Sequence, residues 1–393
     1  MQADFIFTSE AVTRGHPDKL CDAISDAVLG HYLRQDPLAR IVAECAASTG
    51  ILFVSVKHAS SATVDVANTA RHVIDQVGYR DGPFNARSCT VMSSMIEDPQ
   101  GPAFDERILD DTELDRVTAR DQATVTGYAC DHTPCLMPLP IWLANRVVRA
   151  LDEARQSGEL PELAPDGKVQ VGVEFRGGRP YRIHAITLVV AQRRADAPSP
   201  EQLDEGVREL VLTRAFAEEP IAPDAATSIA INPEGAVVGG GPQLHAGLTG
   251  HKGAADTYGG FARQSVSGLS GKDPSRIDRI GAYAARHAAM HVVAARLAGH
   301  CELQLSYSLG HASPVSIQVE TFGTGRVPDD EIARRVQRVF DFRPGAIVRG
   351  LRLRDLPAQD PLGFFPNLSA YGHVGRPELG LPWEHLDRVE AIR

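Results

Sequence analysis

The sequence predicts an α+β protein of three similar units. Hairpin-like strand pairs begin at residues 41, 169 and 301, spaced 128 and 132 residues apart, and a helical apolar stripe accompanies each of them. Length agrees, since 393 residues suffice for two or three domains of about 100–200 residues each. The plan divides the chain into segments 1–100, 115–235 and 236–393.

Each element has its own signal. After Pro17, which costs no hydrogen bond in a first helical turn, Leu20, Ile24 and Val28 recur every four residues and make one apolar stripe. The apolar runs Ile41–Ala47 and Ile51–Val56 are joined through Ser48, Thr49 and Gly50, which predicts an antiparallel pair. Val66, Ala70, Val73, Ile74 and Val77 form a second stripe. From Ser93 to Arg120 acidic residues mix with Pro99, Gly101 and Pro102 without periodicity, so a mobile loop or lid is expected there rather than a packed element. Ile141, Leu143, Ala144, Val147, Val148 and Leu151 give a third stripe. Val169, Val171, Val173 and Phe175 then alternate with Gln170, Gly172 and Glu174, the period of a half-buried strand, before a turn at Gly177-Gly178 into Tyr181–Ala191. An Ala-rich helix over Ala282–Leu297 precedes the third pair, in which Cys301, Leu303, Leu305 and Tyr307 alternate ahead of Ser316–Phe322.

Forty Lys and Arg against fifty Asp and Glu give a net charge of −10, so no global field draws nucleic acid or anionic lipid. The start Met1-Gln2-Ala3-Asp4-Phe5 lacks the basic and apolar regions of a signal peptide, and no apolar run approaches the ~18 residues of a spanning helix. A soluble, cytoplasmic protein is the expectation. The six cysteines form no C-x-x-C pair; Cys130, His132 and Cys135 stand close together but lack a fourth ligand, which favours a loop over a metal site.

Two segments bear chemistry. Gly15-His16-Pro17-Asp18-Lys19 sets an imidazole, a carboxylate and an ammonium at a helix entrance, where free N–H groups favour an anion; phosphate with a metal fits, and so does a capped helix with a surface histidine. The second runs from Gly239-Gly240-Gly241-Pro242 through Lys252 to Lys272, Arg276 and Asp278. Its glycines let backbone N–H groups approach oxygen ligands while its bases supply positive charge, as a polyphosphate cradle requires; a Gly-rich packing loop with solvated lysines fits the spacing equally. The segment is no P-loop, because Val266 stands where the first Gly belongs and Asp273 follows the Lys.

Taken together, these stretches resemble the S-adenosylmethionine synthetase (methionine adenosyltransferase) family over nearly the whole chain. The resemblance rests on Gly15-His16-Pro17-Asp18-Lys19, Asp121-Gln122, Gly240-Gly241-Pro242, Gly247-Leu248-Thr249-Gly250, Asp256-Thr257-Tyr258-Gly259-Gly260, Ser270-Gly271-Lys272-Asp273-Pro274-Ser275 and Val319-Glu320-Thr321-Phe322-Gly323-Thr324, among others in the same order. It implies three α+β domains with pseudo-threefold symmetry, in a homodimer or dimer of dimers whose active sites lie between subunits, with no nucleic acid or membrane partner. It also implies a reaction: a sulfur nucleophile, methionine by default, attacks C5′ of ATP, and the tripolyphosphate released is cleaved to pyrophosphate and phosphate. By the same resemblance Asp18 and Asp278 would hold Mg²⁺ and Glu44 would sit at a K⁺ site. His16, Lys168, Lys252 and Lys272 would contact phosphate oxygens, His16 near the bridging oxygen that leaves C5′. Asp121 and Asp166 match positions near nucleoside and substrate, and Gln100 matches a loop glutamine.

The sequence also departs from the family pattern. A glutamate that helps hold methionine's ammonium is Lys57 here, and a second acid with that task is His245, a local change of about +3 to +4 charges that points to an altered acceptor. On the ATP side an arginine is His251, a lysine is Arg276, and the aromatic residue stacking on adenine is Val237. Two other readings therefore stand beside adenosyl transfer: an ATP hydrolase giving adenosine and tripolyphosphate, and a non-catalytic regulatory subunit of a synthetase. Retention of His16, Asp18, Lys168, Lys272 and Asp278 argues against the latter.

Overall fold

The computed structural model describes residues 4–98, 103–264, 267–359 and 363–393. Each of three α+β units opens with a strand, continues with a long helix and a hairpin, and then adds further elements. In the first, β1 (Phe5–Val12) leads to α1 (Pro17–Gln35) and to β2 (Arg40–Ser48) with β3 (Ile51–Ala59). Then α2 (Val66–Val77) returns the chain to β4 (Thr90–Glu97), parallel to β3. The second comprises β5 (Ala123–Cys130), α3 (Leu139–Ser157), β6 (Leu163–Arg176) and β7 (Arg179–Gln192), with β8 (Ser228–Ile231) and β9 (Val237–Val238) added beside β7. The third has β10 (Gly247–Leu248), the helix Ile277–Ala294, β11 (His300–Tyr307) and β12 (Ser316–Glu320).

No unit keeps its opening strand. β1 pairs with β6, β5 with β11 and β10 with β2, all antiparallel, so the three sheets form a closed ring of exchanges. The helix of each unit covers its own hairpin and the strand received from elsewhere: α3 packs on β6 and β1, the helix Ile277–Ala294 on β11 and β5, and α1 on β2 and β10. Thus the opening strands β1, β5 and β10 each lie in the sheet of another unit, while β9 joins residues 237–238 to the sheet of β7.

The alternation read from Val169, Val171, Val173 and Phe175 is that of a strand with one face in the core, and all four are fully buried. Leu20, Ile24 and Val28 are likewise buried along α1. The helix Ile277–Ala294 is alanine-rich because it lies against β5 at backbone distance. A Cβ on Gly127 would stand 2.0 Å from the backbone carbon of Ala285, so only glycine admits that approach.

The loop expected from Ser93 to Arg120 is corrected. Ser93–Glu97 belongs to β4, and much of the chain beyond that strand is docked: Leu114 is fully buried, and Glu106 pairs with Arg354 at 3.1 Å, both side chains 2% exposed. Sequence periodicity hid this because β4 shows most of its side chains to solvent and is held by its backbone pairing to β3. The acidic character beyond it conceals a charge that a distant arginine balances.

Candidate active site

The site grows from the start of α1. His16 precedes the first turn in extended conformation and its Nδ1 accepts the N–H of Asp18 at 3.2 Å, which leaves the ring proton on Nε2. Burial, opposed by the nearby carboxylates of Asp166 and Asp18, pushes His16 down to about 4, so the ring is neutral. Asp18, Asp22 and Asp26 lie four residues apart on one face of the helix, and each accepts a backbone N–H from the glycine-rich third unit: Leu248 at 2.9 Å, Gly250 at 2.7 Å and Gly271 at 2.8 Å. Buried cations offset the inner two, Lys19 reaching Asp22 and Asp256, and Arg279 reaching Asp26 at 2.6 Å. α1 is therefore the rod from which the cradle hangs.

Asp18 gathers bases as well. Lys252 Nζ lies 2.9 Å and His251 Nδ1 3.1 Å from its oxygens. Burial would raise this carboxyl, but the Lys252 hydrogen bond, the Leu248 N–H and the Lys252 charge together outweigh it and hold Asp18 below the usual range. Opposite stands Asp166 on β6, which accepts the Gly241 N–H at 2.8 Å and pairs with His245 Nε2 at 3.0 Å. That hydrogen bond raises the His245 pKa against the opposing effect of burial. The rings of His16 and His245 stand 4.9 Å apart. Two residues beyond Asp166, Lys168 pairs with Glu10 at 2.6 Å, and Glu10 also feels Lys252. So His16, Asp18, Asp166, Lys168, His245, His251 and Lys252 form one group.

A second group stands at the start of the helix Ile277–Ala294, where Lys272 holds Asp278 at 2.7 Å and Arg276 holds Asp121 at 2.8 Å. Gly271 has φ +75°, and a Cβ there would meet the Ala43 carbonyl oxygen at 1.9 Å, which presses this turn onto β2. Glu44 is exposed on β2. Lys57 lies on the outer face of β3 with Ile51 and Phe53, and pairs with Asp98 at 2.6 Å. Val237 runs beside Ala191, and Gln100 falls outside the described residues. Lys57 and His245, the two bases expected to stand in place of acids, thus each have a carboxylate of their own, Asp98 and Asp166, which the sequence count of charges omitted. Sequence reasoning gave no role to Asp22, Asp26 or Arg279; the four-residue spacing of three aspartates was the signal available.

Comparison with known proteins agrees with this architecture. Models of the S-adenosylmethionine synthetase N-terminal, central and C-terminal domains match residues 4–100, 116–237 and 239–385. Proteins named S-adenosylmethionine synthase include one from Synechococcus sp. (strain JA-2-3B'a(2-13)), 45% identical over 99% of this chain and 97% of its own length. Another, from Prochlorococcus marinus (strain MIT 9313), is 46% identical over 99% of this chain and 96% of its own. With three interleaved α+β units around a cluster of carboxylates and bases, the protein is an enzyme, a transferase of the methionine adenosyltransferase-like class. The chain belongs to the S-adenosylmethionine synthetase family.

Proposed function

We propose that the protein transfers the adenosyl group of ATP to the sulfur of methionine and releases tripolyphosphate, which it cleaves to pyrophosphate and phosphate. The observation that carries this reading is the set of base–carboxylate pairs at the cradle. Lys252 on Asp18 and Lys272 on Asp278 are each a cation resting on a hard oxygen anion. A polyphosphate draws the lysines away and frees the carboxylates for Mg²⁺, so the donor set fits that ion. Asp18 and Asp278 would hold Mg²⁺, which when bound neutralises phosphate charge, and Glu44 would lie at a K⁺ site. Lys168, Lys252, Lys272, Arg276 and His251 would bind phosphate oxygens, with Asp121 and Val237 toward the nucleoside. His16, neutral with its proton on Nε2, would donate to the oxygen that leaves C5′.

The acceptor is read from the local charges. Asp98 offsets Lys57 and Asp166 offsets His245, so neither base opposes a methionine ammonium as a lone cation would. The exposed apolar face of β3 and β4, with Ile51, Phe53, Met92 and Ile96 around Lys57, suits the subunit contact of a homodimer with sites between its chains. Mass spectrometry of products after incubation with ATP, Mg²⁺, K⁺ and either methionine or its des-amino analogue tests the reading. A sulfonium product formed faster from methionine is expected. A preference for the des-amino compound would overturn the acceptor, and adenosine with tripolyphosphate alone would overturn the transfer.

A further inference from the structure

At the end of β5 the structure assembles three soft ligands. Cys130 is the cross-strand partner of His300 at the start of β11, and His132 comes two residues later in the turn, so register brings together residues far apart in sequence. One ligand atom from each lies within 4.8 Å of the other two. Cys135, the neighbour that sequence suggested, is not part of this group; His300 takes its place.

We propose that Cys130, His132 and His300 form a binding site for a transition-metal ion of the Zn²⁺ class, with thiolate, imidazole and imidazole as ligands. The first support is His132. Both of its ring nitrogens are shut off from water without a hydrogen-bond partner among the described residues, an arrangement that leaves a polar group uncompensated unless something binds it. The second is His300, whose Nδ1 lies 2.6 Å from the Tyr128 hydroxyl; a ligating histidine commonly has its other nitrogen fixed in this way, and Nε2 remains for the metal. The third is preorganisation. Asp131 N–H bonds to Gly299 and Cys130 N–H to Leu136, while the Arg286 guanidinium clamps the carbonyls of Tyr128, Cys135 and Leu136.

Tetrahedral Zn²⁺ with Zn–S of about 2.3 Å and Zn–N of about 2.0 Å separates its ligands by about 3.3–3.6 Å, so at most about 1.5 Å of closing completes the shell. Binding expels the Cys130 thiol proton to solvent as the sulfur–metal bond forms. Phe175 and Phe261 wall the site, each with its ring 5.5 Å from that of His132, and a cavity of about 700 Å³ lined by Asp131, Arg179, His300 and Thr324 adjoins it. The site is separate from the α1 cradle: Phe175 lies seven residues along β6 from Lys168, roughly 23 Å at the usual strand rise.

Titration of the full-length protein with Co²⁺, in excess Mg²⁺ to occupy oxygen sites, should produce a thiolate-to-cobalt charge-transfer band and tetrahedral visible bands that saturate at one equivalent. Zn²⁺ should bleach them and raise Tm. Cys130→Ser should abolish the charge-transfer band, and His132→Ala and His300→Ala should each weaken Co²⁺ binding at least tenfold, with folding checked by circular dichroism. Cys135→Ser should change nothing. The assignment is overturned if the wild type gives no thiolate band, if His132→Ala binds Co²⁺ as the wild type does, or if Cys135→Ser removes the band.

Discussion

Asp18 concentrates more of the cradle than any other side chain described, since it holds a backbone N–H, His251 and Lys252 together. Asp18→Asn preserves an acceptor for Leu248 but removes the anion, so kcat should fall at least about 100-fold while the far-ultraviolet spectrum is unchanged. If the proposed reaction holds, Lys272→Ala should lower kcat more than it raises KM, because its charge would matter most as the phosphate departs; a change confined to KM would make it a ground-state contact. His245 supplies a pH test. Its folded pKa is raised, by the Asp166 hydrogen bond against the effect of burial. The stabilisation is therefore complete below the ordinary imidazole value of 6.5 and is lost as pH climbs through the raised folded value. Thermal melts between about pH 6 and 9 should show a steeper loss of Tm in the wild type than in His245→Gln, and parallel curves would refute the pairing. At this scale sequence reading singled out these residues because a helix entrance and glycine-rich turns are local signals. It missed the partners, since Asp98 for Lys57 and Asp166 for His245 come from other strands or turns.

Among the elements, the contact between β5 and the helix Ile277–Ala294 has the least tolerance. Gly127→Ala inserts a methyl group into the space of the Ala285 backbone and should cost about 3 kcal/mol in urea unfolding, without changing the thiolate–cobalt band if the protein folds. An unchanged midpoint would mean that the strand and helix separate more easily than the packing implies. The helical stripes and hairpins were legible because each has one face in the core, which stamps a period on the sequence. The strand β4 was not, because most of its side chains face solvent and only its backbone is paired. In α1 the apolar stripe of Leu20, Ile24 and Val28 was visible, whereas Asp22 and Asp26, buried in one row with Asp18, went without a role. Burial of charge is invisible to a pattern argument until the donors that satisfy it are known.

For the whole molecule, the regular spacing of hairpins announced three units but not their exchange of strands, since β10 is only two residues long and pairing between distant segments leaves no local period. Segment 1–100 by itself would lack β10 and the backbone donors for its three buried aspartates. Expressed alone, it should show no cooperative urea transition; a sharp two-state transition would disprove the dependence. The ring of exchanged strands also bears on how the protein comes into being. A ribosome adds roughly 5–20 residues per second, so β1, complete at Val12, waits roughly 8–30 s for β6, which begins at Leu163. Throughout that interval its backbone groups have no native partner, and Phe5, Ile6 and Phe7 stand in a nascent chain without their sheet. β5 then waits in turn for β11, so a chain arrested anywhere between Cys130 and His300 holds at least one orphaned strand.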